Sequence, residues 1–139
     1  MKQRVEKPIV VGMVGTGYGC ELHGGGYENM VGIPVRLKTV CGGTNRARAE
    51  KMQERYGYEQ VTMDYRDVIR DPEIDVVDIN TNQTLHVPIA LEALKAGKHV
   101  ICEKPLTGYV GMERISLAER FPKRKCIRAC WLKWTSCGR

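Results

Sequence analysis

Ile9-Val-Val-Gly-Met-Val14, followed at once by Gly15-Thr16-Gly17-Tyr18-Gly19-Cys20, is the stretch on which the fold turns. The first six residues are an almost unbroken apolar run, short enough for a strand and apolar on both of its alternating faces. A parallel strand covered on both sides requires that pattern. In the next six, Gly15 permits a tight turn and Gly17 lets backbone approach a phosphate. Free amides at the start of a following helix add the positive end of its dipole. Cys20 takes the third small position of the G-x-G-x-x-G pattern, with Gly19 one place early, and is small enough to let a helix pack on the strand. A strand, a glycine turn and a helix in this order predict a dinucleotide-binding unit, with Gly15, Thr16, Gly17, Tyr18, Gly19 and Cys20 around the pyrophosphate.

Outward from that turn, strands and helices alternate. A helix is expected over Glu21–Met30, although Gly24, Gly25 and Gly26 each cost about 1 kcal/mol in a helix interior and should end or kink it early. Val35–Cys41 reads as the second strand, and Asn45–Tyr56 as a helix capped by Asn45 and stopped by Gly57. A brief strand over Glu59–Thr62, a helical turn over Tyr65–Arg70, a buried strand over Ile74–Ile79, a helix over Leu85–Ala96 closed by Gly97, and a strand over His99–Cys102 follow. Short strands alternating with helices of about a dozen residues predict an α/β fold, a doubly wound, mostly parallel sheet of the Rossmann kind. One more helix is expected over Gly111–Arg120, after which the alternation stops. Residues 1–120 are thus expected to form the nucleotide-binding domain, and 121–139 an irregular tail.

A chain of 139 residues is one domain's worth. No run approaches the roughly 18 apolar residues of a membrane span, and the apolar stretch near the start is too short for a signal-peptide core, so a soluble cytoplasmic protein is expected. The net charge of +6 lies at the end: residues 1–120 hold 16 Lys plus Arg and 16 Asp plus Glu, whereas 121–139 hold six bases and no acid. The neutral body points away from nucleic acid. The six cysteines show no CxxC pair, which argues against a structural zinc site and leaves them as ordinary thiols.

The end of the second strand should select the dinucleotide, since a carboxylate there suits the ribose 2′-hydroxyl of NAD and an arginine the 2′-phosphate of NADP. Cys41-Gly-Gly-Thr44-Asn45-Arg46 holds no acid. Thr44, Asn45 and Arg46 could meet a 2′-phosphate, so NADP is favoured over NAD. The competing reading puts Arg46 and Arg48 on a solvated helix face.

Two later segments stand at strand carboxyl ends, the edge where doubly wound sheets bind ligands. One is Thr81-Asn-Gln-Thr-Leu-His86 and the other Glu103-Lys104-Pro105, preceded by Ala90-Leu-Glu-Ala-Leu-Lys-Ala-Gly-Lys-His-Val-Ile-Cys102. With the glycine turn, they resemble the Gfo/Idh/MocA family, the glucose-fructose oxidoreductase and inositol dehydrogenase relatives. That family commonly reads T-P-N-x-x-H after the fourth strand and A-x-x-A-L-x-A-G-K-H-V-x-x-E-K-P through the fifth. The resemblance covers about residues 9–120, and the proline usual between Thr and Asn is absent at Thr81-Asn82. It implies a nicotinamide-dependent oxidoreductase acting on a sugar, cyclitol or related hydroxyl-bearing substrate. Lys104 would be the catalytic lysine near nicotinamide and substrate, Glu103 and Pro105 would shape its turn, and Thr81, Asn82 and His86 would line the nicotinamide side. On the residues alone, Lys104 reads as a surface lysine beside Glu103 and His86 as a helix-start histidine.

Family members continue into a second α+β domain that supplies an aspartate and a histidine, and residues beyond Arg120 contain neither. The chain is therefore expected to be truncated and catalytically incomplete alone, binding substrate only if a second domain is supplied and prone to self-association through an uncovered sheet. Ile127, Cys130, Trp131 and Trp134 fall at helical spacing among bases, as in a membrane-surface segment. The abrupt change in composition is read instead as a truncated or frame-shifted coding sequence, with no membrane role. The alternative for the whole chain is a non-catalytic nucleotide-binding or interaction module.

Overall fold

The computed structural model describes residues 7–107. Five strands, β1 (Ile9–Val14), β2 (Val35–Cys41), β3 (Gln60–Thr62), β4 (Val76–Ile79) and β5 (His99–Cys102), alternate with four helices, α1 (Tyr18–Glu28), α2 (Arg46–Tyr56), α3 (Tyr65–Arg70) and α4 (Gln83–Lys95). Every neighbouring pair is parallel, and the strand order is β3-β2-β1-β4-β5. This is the doubly wound sheet expected from the alternation. The helix expected over Gly111–Arg120 and the tail 121–139 lie outside the described residues.

Side chains alternate along β1, which explains why its apolar run is nearly continuous. Val10 and Val14 join one buried cluster with Val68 and Ile69 of α3 and Ile89, Ala90 and Ala93 of α4. Met13 joins a second cluster with Cys20 of α1 and Ala49, Met52 and Tyr56 of α2. Each cluster buries the apolar face of two helices, and burial on this scale is the main favourable term in the fold.

The helix ends follow local chemistry. Asn45 Oδ1 accepts from the Arg48 amide at 3.0 Å and Asp64 Oδ1 from the Arg66 amide at 2.9 Å, each satisfying one of the donors a helix start leaves free. Two helices differ from the sequence expectation. α4 starts at Gln83, two residues before Leu85, because Asn82 Oδ1 accepts from the Thr84 amide at 3.2 Å and caps it. α1 starts at Tyr18, directly after the turn, and runs unbroken through Gly24, Gly25 and Gly26 to Glu28. Gly24 is there for packing: a Cβ at this position would lie 2.8 Å from the Tyr56 ring of α2.

Candidate active site

Strand order reverses at β1, with β2 and β3 to one side and β4 and β5 to the other. Loops leaving the carboxyl ends of β1 and β4 therefore diverge and open a crevice, the place where open parallel sheets bind ligands. Here it is a cleft of about 530 Å³, within the range of small-molecule and cofactor sites. Its walls come from the glycine turn, from residues 41–44 after β2, from 80–83 after β4 and from Glu103 and Lys104 after β5.

The glycine turn is tied into the sheet at both sides. The Gly15 amide donates to Cys41 O at 3.0 Å, and the Asn80 amide to Val14 O at 2.7 Å. Gly15 has φ +108, and a Cβ there would lie 2.4 Å from Asn80 O. Gly17 has φ −81 and a hypothetical Cβ would meet only Asn80 O, at 3.9 Å, so open space lies before it. Gly17 is also the N-cap of α1 and offers no side chain to bond the first-turn amides. Those amides and the helix dipole remain available to an anion. Asn80, on the cleft wall, is buried and its Oδ1 has no protein partner. A glycine cradle with uncapped amides and an orphan acceptor in its wall fits the pyrophosphate and polar groups of a dinucleotide.

The residues singled out by sequence do not all reach this cleft. Gly15, Thr16, Gly17, Tyr18, Gly19, Thr44, Thr81, Asn82, His86, Glu103 and Lys104 border it. Four stand back. Cys20 is wholly buried among Met13, Val40 and Ala49, so it serves the closeness of α1 to the sheet and touches no ligand. Burial, with Asp78 nearby, pushes its thiol up to about 12. Asn45 spends its side chain on the cap of α2. The Arg46 guanidinium pairs with Glu50 at 3.7 Å, an exposed pair one helical turn apart. Pro105 supplies a carbonyl oxygen to His86.

His86 borders the cleft, but its ring nitrogens face inward. Nδ1 lies 2.9 Å from Pro105 O and Nε2 3.0 Å from Thr81 O, and the residue is 1% exposed. A neutral imidazole has one N–H, so it donates to one of these carbonyls in each tautomer. His86 thus acts as a pin between the loops after β4 and β5.

Sequence reading passed over a buried polar cluster behind the Glu103-Lys104 turn. Asp78 of β4 is 0% exposed, in the middle of an apolar strand. It accepts from Tyr27 Oη at 2.7 Å and Asn80 Nδ2 at 2.9 Å, and both its oxygens lie 2.9 Å from His23 Nδ1. His23 Nε2 then reaches Glu103 Oε1 at 3.3 Å. Burial opposes a charge on His23, but hydrogen bonding and charge from Asp78, joined by Glu103, outweigh it and raise its pKa above 6.5. His23 in turn holds the Glu103 carboxyl below its ordinary range. The one available signal was Asp78 itself, a carboxylate interrupting an apolar strand and therefore in need of donors. Gln83 also borders the cleft and went unremarked in the sequence.

Among the described residues no helix is long and apolar enough to cross a membrane, and no group of three or more His, Cys, Asp or Glu could hold a metal ion.

Comparison with known proteins agrees with this geometry. The model of the GFO_IDH_MocA family, described as an oxidoreductase family with an NAD-binding Rossmann fold, matches residues 9–127. Levoglucosan dehydrogenase of Pseudarthrobacter phenanthrenivorans is 42% identical over 103 residues, covering 69% of this chain and 26% of its own length. Myo-inositol 2-dehydrogenase of Thermotoga maritima is 30% identical over 97 residues, covering 70% of this chain and 28% of its own. Among solved structures, a levoglucosan dehydrogenase complex with NADH superposes with TM-score 0.61 at 34% identity, over 73% of this chain and 29% of that one. Biliverdin reductase from Synechocystis, in complex with biliverdin and NADP+, gives TM-score 0.65 at 36% identity, over 73% and 31%. The chain spans less than a third of the length of each of these relatives.

Proposed function

Because the chain belongs to the Gfo/Idh/MocA oxidoreductase family, we propose that its cleft is the cofactor half of an active site that moves a hydride to or from a hydroxyl-bearing carbon of a sugar or cyclitol. The observation that carries this reading is the open, uncapped glycine turn facing the Glu103-Lys104 turn across one cleft. The sugar and cyclitol class is supported by the levoglucosan and inositol dehydrogenases to which the chain is similar.

The roles follow from position. The first-turn amides of α1 receive the pyrophosphate, and Tyr18, 75% exposed at the turn, offers an aromatic face beside it. Thr81, Asn82 and Gln83 border the far side of the cleft, held to the β5 loop by His86. When bound, a nicotinamide ring accepts or gives the hydride. Lys104 supplies a point cation to orient the substrate hydroxyl and support its proton transfer. Thr44 borders the cleft at the end of β2, where no carboxylate stands, and this supports the 2′-phosphate form of the cofactor. Arg46 can join it by leaving Glu50, since an exposed pair of this kind is worth under about 1 kcal/mol.

Titration calorimetry of the chain with NADPH and NADH, repeated on Gly17→Val, tests the reading. A Cβ at Gly17 meets no protein atom closer than 3.9 Å, so the variant should fold while its side chain occupies the pyrophosphate's place. Saturable binding weakened at least about tenfold in the variant is expected, with NADPH the tighter ligand. No binding by folded wild-type chain would leave a nucleotide-fold module without nucleotide function.

A further inference from the structure

His23 has no part in holding a dinucleotide as described above, yet its ring bridges one carboxylate on β4 and another in the loop after β5. Nδ1 is 2.9 Å from both oxygens of Asp78 at the sheet centre, and Nε2 is 3.3 Å from Glu103 Oε1 at the cleft rim. The charged and titratable groups facing the ring are Asp78 from β4, Glu103 from the loop after β5 and, through Asp78, Tyr27 from α1. Asn80 adds a neutral amide at 3.3 Å. A carboxylate as buried as Asp78 is stable only when donors surround it, and His23, Tyr27 and Asn80 do so. Asp78 with these three partners is the anchor.

Glu103 hangs from that anchor. Its Oε1 faces His23, and its Oε2 accepts from the backbone N–H of Lys104 at 3.1 Å. Both oxygens are engaged, and among the described residues no carboxylate pairs with the Lys104 ammonium. Besides His23, the cation whose charge acts on the Glu103 carboxylate is Lys104, the next residue in the chain.

We propose that His23 is a positioning residue that ties the Glu103-Lys104-Pro105 turn to Asp78 and withholds the Glu103 carboxylate from Lys104, leaving that cation to the ligand. The second half rests on the ligand-facing role given to Lys104 above. His23 acts through Glu103 and touches neither cofactor nor substrate.

A mutant cycle separates this role from simple support of the fold. His23→Gln should weaken binding of the tighter of NADH and NADPH about fivefold, the scale of one partly exposed charge interaction. Adding Glu103→Gln removes the carboxylate that would otherwise move to Lys104, so the double variant should recover to within about twofold of Glu103→Gln alone. Losses that simply add would overturn the withholding role. Nitrogen-15 NMR of the His23 ring, which needs no cofactor, tests the tether: its titration midpoint should fall in Glu103→Gln relative to wild type. An unchanged midpoint overturns the proposal, even if His23→Gln does not fold. If folded wild type binds neither cofactor, the dinucleotide reading fails by itself, and the ring titration still decides for or against the tether.

Discussion

A Cβ at Gly15 would lie 2.4 Å from the Asn80 carbonyl oxygen, in a backbone conformation with φ +108 that L side chains rarely adopt. Gly15→Ala should therefore lose about 2–4 kcal/mol of stability, from strain and collision together, read as a shift in the urea midpoint with unchanged slope. A loss below about 0.5 kcal/mol would mean that the loop after β4 yields easily. Two residues on, Gly17→Val is expected to leave stability nearly intact and to act on binding alone. The glycine pattern and the separate tasks of Gly15 and Gly17 were plain in the sequence, but the collision that enforces the first was not, because Asn80 arrives from the loop after β4. The same limit applies to His86. Its place in a recognisable motif was legible, whereas its pinning of two loops depends on the Pro105 and Thr81 carbonyls brought to it by folding. His23 carried no mark at all, since one histidine on a helix is ordinary until Asp78 is seen beneath it.

At the scale of elements, β1, β2, α3 and β5 have the bounds that hydrophobic pattern and turn residues predict, and α2 has the predicted Asn45 cap. Their signals are local, so local rules suffice. α1 is different. Three consecutive glycines argue against a helix on propensity, yet tertiary packing overrides it, since the close approach of α2 requires the first of them. Two substitutions one helical half-turn apart should have opposite signs. Gly24→Ala drives a methyl to within 2.8 Å of the Tyr56 ring, and should cost about 1–3 kcal/mol as overpacking does. Gly26→Ala meets nothing within 4 Å, and should gain about 0.5–1 kcal/mol by restricting the unfolded chain and improving helix propensity. Thermal unfolding of the two variants checks both. A stabilising Gly24→Ala would show that the Tyr56 ring moves aside at little cost, and would remove the packing account of why α1 carries glycine.

For the molecule as a whole, the polar cluster behind the cleft makes stability depend on pH in a particular window. The folded pKa of His23 is raised above its ordinary 6.5, so its contribution is fully present below about pH 6.5 and is lost as pH rises through the folded value. Glu103 and Asp71 have lowered values, Glu103 through His23 and Asp71 through Lys38 against the opposing effect of its own burial. Their contributions are present above the ordinary 4.5 and 3.8 and are lost as pH falls through the folded values. These three groups together favour the fold most between about pH 4.5 and about pH 6.5. Groups elsewhere in the chain titrate too, and a difference measurement removes them. The stability gap between wild type and His23→Gln, from urea unfolding at about pH 6 and about pH 9, should shrink on the alkaline side by on the order of 1 kcal/mol. A gap that is constant across that range would mean that His23 titrates in the fold as it does in the unfolded chain, and that the facing carboxylates do not favour its charged form. A shrinking gap would mean that the fold favours the charged ring of His23, as the facing carboxylates of Asp78 and Glu103 require.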